Sequence, residues 1–582
     1  MRRRLLVAFV CLYAALGVRF GRSFSAFGEE TIVQPGVAST MLVWRPSPDG
    51  PSLRAVGCRE GAPPHALWLD DRPRWSLCAG GRVWPVMLAG YLGGFLFWPL
   101  GLASAALGDD LLLRRALSSL VGLIALALGA RLARESEGED GALLAAMALA
   151  TSPTFVVTHA IFLHYETAPA TLAMLAAALY ARDLRRGALR ARTLWLCAGL
   201  LGLALAVNLR AGIVVVALAL TAWRLRAPFA GTSWAARAGA VIPFALGMSP
   251  VLLLAALDPG GARDDRSGML SEALAHNRQH PEVLLGAGYD VLRWWSNLAD
   301  YLSEFNGPAG FNPPALGIAA AAAAWVLLEG LRALWRREGS ALAAALALTL
   351  LGYWVVGAMI YLYYPRNMAP LGAAFGLSLG LALTRLSAWL GRRGLGERVR
   401  LGLCALLTLP FAYNVEQLVV ASLRSTAPYN LVSERAMGRY LDAHPLPGSV
   451  LVSMDLYLAG VFEGLGRGGA RVAHAEPLFY ECGREDRACR ASRVRALLDW
   501  CGARPTRIVM LAPDPSLAPR DRGPSFAQVQ SEFRDAGARV SVEHHAPTPR
   551  GTDGILLLRV YRDDAARSSA STGPARSIAT RW

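Results

Sequence analysis

The sequence SPTFVVTHAIFLHYETAP occupies residues 152–169 and decides the fold class. Two apolar segments meet at its polar centre, where His164, Tyr165 and Glu166 follow one another. Hydrocarbon tolerates a carboxylate poorly, so Glu166 is expected where one membrane helix reaches the surface and the next begins. An ionisable group held at such a boundary also indicates function.

The composition indicates a membrane protein. The chain has 582 residues, 54% of them hydrophobic, and a net charge of +16 that comes from arginine alone, because the sequence contains no lysine. One soluble core would not use so many apolar runs. The arginines cluster in short connections between these runs, as in cytoplasmic membrane loops, which disfavours nucleic-acid binding.

The apolar runs give a topology. The chain starts with arginines before an uncleaved N-terminal anchor at 5–18, and most runs could cross a hydrocarbon core of about 30 Å. The further runs lie at 83–107, 111–131, 142–163, 167–181, 193–209, 211–223, 238–257, 314–331, 341–363, 367–384 and 401–423. The arginine-rich connections lie at 131–134, 182–192, 224–237, 332–337 and 385–400.

The positive-inside rule selects among the possible crossings. If 83–107 spans the membrane, a chain that starts inside places 182–192 outside. If 83–107 lies in the outer interface or re-enters, all five basic connections and the N-terminal arginines are cytoplasmic together. We therefore predict an α-helical polytopic membrane protein of about eleven spans plus a juxtamembrane or re-entrant helix. An outside N-terminus with twelve spans is the alternative.

This topology divides the chain into regions. Residues 1–423 form the membrane domain, in which 21–110 comprise the first outer loop with juxtamembrane helices. Residues 258–312 form a second outer loop, and its segment 290–302 is predicted as a helix on the membrane surface or packed as a lid. Residues 424–562 are predicted to form a C-terminal extracytoplasmic α/β domain, with strands at 449–453, 507–512, 539–543 and 555–561 and helices at 431–443, 456–464 and 524–536. The remaining residues, 563–582, are predicted to be disordered.

The cysteines and histidines give weaker signals. In an oxidising compartment, Cys58 with Cys78 and Cys482 with Cys489 would be natural disulfide pairs, although sequence does not fix the connectivity. His159 and His164 are five residues apart, so they do not share a helix face as a metal-binding pair would. Packing or hydrogen bonding is the better interpretation of both histidines.

The predicted topology brings ionisable groups to the outer rim. The carboxylates are Glu29, Glu30 and Glu166, and the guanidinium groups are Arg210 and Arg366. A carboxylate can accept a proton from an acceptor hydroxyl while arginines bind a leaving phosphate, so the combination suits transfer from a phosphate-activated donor. Each residue alone could equally be an interfacial side chain paired with a lipid headgroup or a neighbour.

Several motifs, in order along residues 1–423, resemble the GT-C superfamily of polyprenyl-phosphate-sugar-dependent glycosyltransferases. The matching segments are Gly28-Glu29-Glu30, Trp84-Pro85-Val86-Met87 with Tyr91-Leu92-Gly93-Gly94 and then Arg115, Ser152-Pro153 with Glu166-Thr167-Ala168-Pro169, Gly199 to Ala204 through Asn208 and Arg210, and Tyr364-Pro365-Arg366-Asn367-Met368-Ala369-Pro370. The chain departs from the family pattern in having Glu rather than Asp at 166 and Asn rather than Thr at 208, and no Tyr follows Arg366.

The resemblance implies inverting transfer of a sugar from a polyprenyl-phosphate donor to an extracytoplasmic lipid, glycan or protein. It implies that Glu29 or Glu30 is the base and Glu166 a second catalytic acid, and that Arg210 and Arg366 bind the donor phosphate. Some members need a divalent metal and others do not, so a metal cofactor is left open. The expected location is the bacterial inner membrane, with the site facing the periplasm and membrane lipids around the helices. A transporter or flippase of envelope lipids or glycans, or a membrane-anchored sensor, are the alternatives.

Overall fold

The fold was taken from a computed structural model of the whole chain. The structure describes residues 2–23, 41–45, 52–56, 67–69, 75–79, 82–89, 92–95, 98–107, 111–160, 164–225, 232–257, 259, 312–359, 371–424, 431–454, 458, 461–462, 468–475, 486–512, 525–548 and 554–562. The predicted surface helix at 290–302, most of the helix predicted at 456–464, and the tail at 563–582 lie outside these residues.

Most of the described chain is helical, as its Ala- and Leu-rich composition favours. The helices up to residue 424 are α1 Arg2–Ser23, α2 Trp98–Leu107, α3 Leu111–Thr151, α4 Pro153–Ala160, α5 His164–Arg185, α6 Ala191–Val207, α7 Gly212–Leu225, α8 Trp234–Gly239, α9 Val241–Gly247, α10 Ser249–Leu257, α11 Pro313–Arg336, α12 Ala341–Met359, α13 Leu371–Arg392 and α14 Glu397–Arg424. They are followed by α15 Leu431–Ala443, α16 Arg487–Cys501 and α17 Phe526–Asp535.

The helices up to residue 424 run back and forth between two ends of one bundle. Without the short α2, the described helices make eleven passes. Helix α3 counts as two passes, its second pass and α4 count as one, and α8 to α10 count as one bent pass. In the part of the chain that the structure describes, four helical segments are long and apolar enough to cross a membrane, and a fifth is possible if the 62° bend before Ser249 lies within one span. The four are Arg115–Thr151, Pro313–Arg336, Leu371–Arg392 and Glu397–Val420. The number of membrane spans stays a prediction.

Helix α3 contains a sharp reversal. Gly138 has φ 81° and ψ −164°, which no helix allows, and its positive φ favours glycine. The two apolar runs predicted at 111–131 and 142–163 therefore belong to two different passes that meet at this residue. The second pass breaks again at Ser152, continues as α4 and ends at Ala160.

A stripe of glycines lets helix α13 approach this second pass closely. A Cβ added at Gly380 would lie 2.5 Å from the Cα of Ala145, and one at Gly376 would lie 2.4 Å from a methyl carbon of Leu149. Gly372 would place its Cβ 3.2 Å from backbone atoms of Phe155. Glycines four residues apart are a common means of bringing membrane helices together, because they remove the side chain from the contact. The stripe fixes α13 against α3 and α4.

The basic connections meet at one end of the bundle, which we call the inner end. Arg2 lies 3.0 Å from Asp140 and 3.0 Å from Glu397. Arg385 pairs with Glu137 at 3.1 Å. The other contacts of this end are Arg134 with Glu139, Arg185 with Glu135, Ser340 with Glu137, Arg224 with the Leu334 carbonyl, and Thr232 with the Leu189 carbonyl.

These contacts join the N-terminal arginines to all five predicted cytoplasmic connections. Exposed ion pairs contribute about 0–1 kcal/mol each, so they add little to stability. These ion pairs instead determine which helix ends are neighbours, because basic residues from several connections surround the acidic turn at 135–140. The compartment that the inner end faces remains a prediction.

Reporter fusions test this topology. We expect fusions after residues 138 and 188 to report the cytoplasm, and fusions within 257–312 and after residue 562 to report the outside, because all basic connections share one end. Activities of an alkaline phosphatase and a fluorescent protein reporter at each position measure the orientation. Residue 138 outside with residue 188 inside would contradict the scheme.

The segment 83–107 does not form the single juxtamembrane or re-entrant helix predicted for it. Residues Arg82–Ala89 and Leu92–Gly93 are strands, and only Trp98–Leu107 are helical. Ten helical residues extend about 15 Å, half the thickness of the hydrocarbon core, so α2 does not span it. Aromatic and β-branched residues at 83–86 favour a strand over a helix.

The first outer loop contains strands that were not predicted. They are β1 Met41–Arg45, β2 Ser52–Val56, β3 Leu67–Leu69, β4 Trp75–Ala79, β5 Arg82–Ala89 and β6 Leu92–Gly93. Strands β3 to β6 form an antiparallel four-stranded sheet in chain order. The other two join a different sheet.

The C-terminal part is α/β, with strands at each of the predicted positions. Its strands are β7 Val450–Ser453, β8 Arg471–His474, β9 Thr506–Leu511, β10 Ala538–Pro547 and β11 Gly554–Arg562. Strand β8 and helix α16 were not predicted. Strand β7 pairs in parallel with β8 and β9, whereas β11 pairs antiparallel with β9 and β10. Helices α16 and α17 cover a core on one face of this sheet, and α15 covers the other.

Strands β1 and β2 of the first outer loop extend this C-terminal sheet. Strand β1 pairs in parallel with β8, with Leu42 opposite Ala473 and Val43 opposite His474, and β2 forms the edge. The division at residue 424 is therefore incomplete, because one sheet contains strands from both predicted domains. The strand order is β10-β11-β9-β7-β8-β1-β2.

A cross-link tests this pairing. Adjacent strands lie about 4.8 Å apart, within the range of Cα separations that a disulfide bridges. We expect the variant Leu42→Cys/Ala473→Cys to form a disulfide in membranes, detected by mass spectrometry of the digested protein. The pair Leu42→Cys/Val540→Cys, with Val540 near the opposite edge of the sheet, is the control and should not cross-link. Equal cross-linking of both pairs would contradict the strand order.

Cysteine pairing agrees in part with the prediction. Cys489, at the start of α16, is disulfide-bonded, while its predicted partner Cys482 lies outside the described residues. Cys11, Cys197, Cys404 and Cys501 are free thiols. The pair Cys58 and Cys78 stays a prediction, because neither side chain is described.

Candidate active site

The structure describes the predicted site residues unequally. Arg210 lies in a short 3₁₀ turn, Leu209–Ala211, between α6 and α7. Glu166 is the third residue of α5, and its side chain is outside the described part. Glu29, Glu30 and Arg366 lie outside the described residues. The geometry of the site is therefore built from the elements that flank these positions.

Arg115 joins three of these elements at the outer end of the bundle. Its side chain is almost fully buried, and its Nη1 donates a hydrogen bond to the Gly21 carbonyl at 2.7 Å. A Cβ at Gly21 would lie 3.7 Å from both the Arg115 side chain and the carbonyl oxygen of Ala160. The last turn of α1 thus contacts both Arg115, in the first turns of α3, and the last turn of α4.

The segments that carry the predicted acids start from this meeting point. Glu29 follows Gly21 by eight residues, and Glu166 follows Ala160 by six. Gly372, which packs against Phe155 of α4, follows Arg366 by six residues. These spacings relate the predicted residues to described helix ends along the chain, and the convergence of the residues in space stays a prediction.

Asn208 builds the turn that holds Arg210. Its backbone is extended, with φ −156° and ψ 118°, and it ends α6. Its Oδ1 accepts a hydrogen bond from the Arg210 backbone N–H at 3.0 Å, which begins the 3₁₀ turn. Asparagine favours such a cap because its side-chain oxygen replaces a helical carbonyl. The polar break predicted between the two short runs is confirmed.

This turn is covered by the sheet of the first outer loop. A Cβ at Gly93 of β6 would lie only 2.3 Å from the carbonyl oxygen of Ala206, so strand and helix end are in backbone contact. Val86 and Met87 of β5 pack with Ala206 and with Val251 and Leu254 of α10. The four-stranded sheet β3–β6 therefore packs against the end of α6, one helical turn from Arg210.

The Arg210 turn also contacts the helix that leads to Arg366. A Cβ at Gly352 of α12 would lie 2.6 Å from a methyl carbon of Ile213, three residues after Arg210. Helix α12 ends at Met359, and Arg366 follows seven residues later. The helices before and after Arg366 thus contact the helix that follows the Arg210 turn and α4, respectively.

Two charged residues of the outer end were not assigned a role from the sequence. Glu416 of α14 accepts two hydrogen bonds from Arg19 of α1, at 2.8 and 2.5 Å, and so holds the helix that leads into the first loop. Arg115 appeared only as part of a motif. The sequence does contain a signal for Arg115. In the predicted topology Arg114 and Arg115 lie on the outer side, where the positive-inside rule disfavours arginine.

His159 is a packed residue, as expected. Its Nδ1 donates to the Phe155 carbonyl at 2.8 Å, and its ring lies 4.3 Å from that of Phe155. Its buried Nε2 has no hydrogen-bond partner in the described part of the chain. The described side chains also include no group of three His, Cys, Asp or Glu that could hold a metal ion.

Comparison with solved structures assigns the fold. ArnT from Cupriavidus metallidurans bound to undecaprenyl phosphate superposes with a TM-score of 0.56 at 12% identity, over 95% of this chain and 97% of ArnT. The chain has the ArnT fold. The oligosaccharyltransferase of Archaeoglobus fulgidus in its apo form gives a TM-score of 0.45 at 12% identity, over 88% of this chain and 69% of that one. No family model matches the chain. No curated protein matches it either.

ArnT is an aminoarabinose transferase and a GT-C glycosyltransferase. The resemblance to this superfamily stated from the sequence motifs is therefore confirmed at the level of the fold. At 12% identity the likeness extends to the architecture and not to the reaction of this chain.

A substitution at Gly93 tests the contact between the sheet β3–β6 and the end of α6. We expect Gly93→Ala to lower the melting temperature of the detergent-solubilised protein, because the new Cβ would collide with backbone that has little room to move. Such overpacking costs about 1–3 kcal/mol. Gly317→Ala is the control, since a Cβ at Gly317 meets no atom within 4 Å. Equal melting temperatures for the two variants would contradict the contact.

Proposed function

We propose that this protein is a membrane glycosyltransferase that transfers a sugar from a polyprenyl-phosphate-linked donor to an extracytoplasmic acceptor. The main support is the fold match to ArnT over nearly the whole of both chains, which includes a structure with undecaprenyl phosphate bound. The outer end of the bundle adds support, because described elements that flank the candidate residues in sequence meet there, at Gly21 with Arg115 and at the Arg210 turn.

The proposed reaction displaces a lipid phosphate. An acceptor hydroxyl attacks the anomeric carbon of the donor sugar, the bond from that carbon to the phosphate oxygen breaks, and Glu29 or Glu30 accepts the hydroxyl proton. Glu166 orients the acceptor. The electron pair of the broken bond stays on the phosphate, whose growing negative charge is stabilised by Arg210 and Arg366. Attack opposite to the leaving group gives inversion.

Arg115 has a positioning role in this proposal. A buried cation beside the ends of α1 and α4 attracts the carboxylates on the segments that leave from them. It would hold the negative side chains at the outer end without itself contacting the donor. An arginine is suited to this role because it stays charged when buried.

An apolar cavity supports binding of a lipid chain. A space of about 380 Å³ lies between α5, α6, α7, α12 and α13. Its walls include Ala173, Met174, Leu201, Val214 and Leu346, and few polar atoms face it. A prenyl chain is a pure hydrocarbon, so such walls favour it over any polar substrate. The space lies on the same helices that frame the Arg210 turn.

The charge distribution supports a periplasmic site in the bacterial inner membrane. Arginines of the N-terminus and five connections gather at the inner end, whereas α1, α4 and α14, which precede the candidate acids and the C-terminal sheet in the chain, end at the other. Basic loops remain in the cytoplasm during insertion. The acceptor would then be a lipid, glycan or protein of the cell envelope.

Replacement of the acids tests the mechanism. We expect Glu29→Gln, Glu30→Gln and Glu166→Gln to lower turnover by about 100-fold or more where the residue acts as base, since general-base catalysis contributes about 10²–10⁴-fold. Arg210→Ala should raise the KM for the donor. Conversion of a panel of polyprenyl-phosphate-linked sugars by membranes, followed by mass spectrometry, gives both constants.

Glu139→Gln is the matched control. It removes the same charge at the inner end, where Glu139 pairs with Arg134, and should leave turnover unchanged. Wild-type transfer by the protein with Gln at 29, 30 and 166 together would overturn the mechanism, provided that the protein is present in the membrane at wild-type amounts.

A further inference from the structure

Three arginines line one pocket of the C-terminal sheet. The pocket has a volume of about 320 Å³ and lies between the turn at 502–505, the start of β9 and the end of β11. Its arginines are Arg504, Arg559 and Arg562. They come from two separate segments, because β11 runs antiparallel to β9 and its last residues reach the level of Thr506. The fold therefore brings three arginines to the rim of one pocket.

These arginines are not neutralised within the described part of the chain. Arg504 donates to the Trp500 carbonyl at 3.4 Å and lies over the Trp500 ring, and Arg559 lies over the Tyr561 ring. Arg562 donates to the Leu498 carbonyl. None of the three forms an ion pair with a described carboxylate.

Other arginines of the same region behave differently. Arg487 pairs with Asp535, Arg490 with Glu532, and Arg507 with Glu543. The region thus pairs its structural arginines with acids and leaves the pocket without them. Backbone carbonyls and aromatic rings hold the guanidinium groups of the pocket, which preserves their charge and most of their N–H donors for a ligand.

Cys501 shows that two of these charges act at the same place. Its thiol is buried at the end of α16 beside the pocket. Burial raises the pKa of the Cys501 thiol, while Arg562 and Arg504 both act in the opposite direction. Both guanidinium groups therefore lie near the same thiol.

The pocket lies far from the membrane helices. Helix α15 begins seven residues after the end of α14, and Ser433 near its start donates to the Pro547 carbonyl at 2.8 Å. Pro547 pairs with Gly554 at the start of β11, whereas the pocket is at the other end of that strand. Eight residue steps of a strand cover about 26 Å. The arginines therefore lie at the end of the sheet opposite to its contact with α15.

We propose that this pocket binds the phosphate group of a water-soluble phosphate ester, such as a phosphorylated saccharide. Arginines around one pocket favour a group with two negative charges over a single carboxylate, and the planar guanidinium fork matches phosphate oxygens. The volume exceeds that of a phosphate ion, so the pocket has room for part of the esterified group. The inference does not rest on the proposed function.

Calorimetry on the full-length protein in phosphatidylcholine nanodiscs tests the proposal. We expect glucose 6-phosphate and inorganic phosphate to bind, glucose not to bind, and the affinity to fall as salt is raised. Each of Arg559→Ala and Arg562→Ala should weaken binding by about tenfold or more, as expected for a lost hydrogen bond to a charged group. Arg559 is exposed and contacts only a ring, so its variant should fold normally.

Two controls separate the pocket from general basicity. Arg534→Ala removes an exposed arginine from α17 and should leave binding unchanged. The variant Asp563→Asn/Asp564→Asn removes the acids that follow Arg562 in the sequence, so that they cannot compete with the probe. Absence of phosphate binding in both wild type and this variant would overturn the proposal, and so would equal weakening by Arg534→Ala.

Nanodiscs that contain phosphatidylglycerol distinguish the source of the phosphate. We expect the same affinity for glucose 6-phosphate as in neutral nanodiscs, because the pocket is remote from the bilayer. Loss of probe binding in the anionic nanodiscs, with recovery at a lower fraction of anionic lipid, would assign the pocket to headgroups and overturn the water-soluble ligand.

Discussion

The exclusion of charge from hydrocarbon governs the arrangement of the helical region. Apolar side chains cover the passes between the two ends, and nearly all of the ion pairs among the described helices lie at one end or the other. An unpaired charge between them would cost several kcal/mol. The acidic turn at 135–140 can therefore gather basic connections only at the inner end, and that leaves the outer end for the groups that do chemistry. A transporter would instead be expected to place ionisable groups near the middle of the helices.

The outer end is assembled from parts that are distant in sequence. Gly93 of the first loop packs against the end of α6, while β1 of the same loop pairs with β8 of the C-terminal sheet. The loop that carries Glu29 and Glu30 is thus tied to the helices on one side and to the C-terminal sheet on the other. A displacement at either contact would therefore shift the predicted base, because the backbone of the loop connects them. This arrangement gives the C-terminal sheet a structural part in the site even if it never contacts substrate.

The sequence predicted the helices well because each apolar run must cover its own backbone polar groups in hydrocarbon, a constraint that acts locally. It also predicted the polar break at Asn208 and the gathering of the basic connections. It failed at 83–107, where apolar strands have the same hydropathy as a helix of that length. It could not predict the pairing of Leu42 with Ala473, since strand addition depends on which edge is free in the folded sheet. The sequence identified Arg115 only as a motif residue, because its burial results from the way in which α1 and α4 pack, and this is not visible in the sequence.

The C-terminal sheet has two unlike ends, and its topology explains the difference. Strands β7, β8 and β9 run parallel, so their carboxyl ends share one edge of the sheet, and that edge lies on the side of Ser433 and the helical region. In open α/β sheets this is the edge where ligands bind, because the connections that follow the strands converge there. The arginine pocket lies instead at the amino ends of these strands, where the antiparallel strand β11 delivers Arg559 and Arg562. A purely parallel sheet could not place the end of a strand there. The antiparallel addition of β11 thus places basic side chains at the end of the sheet opposite to its contact with the helical region.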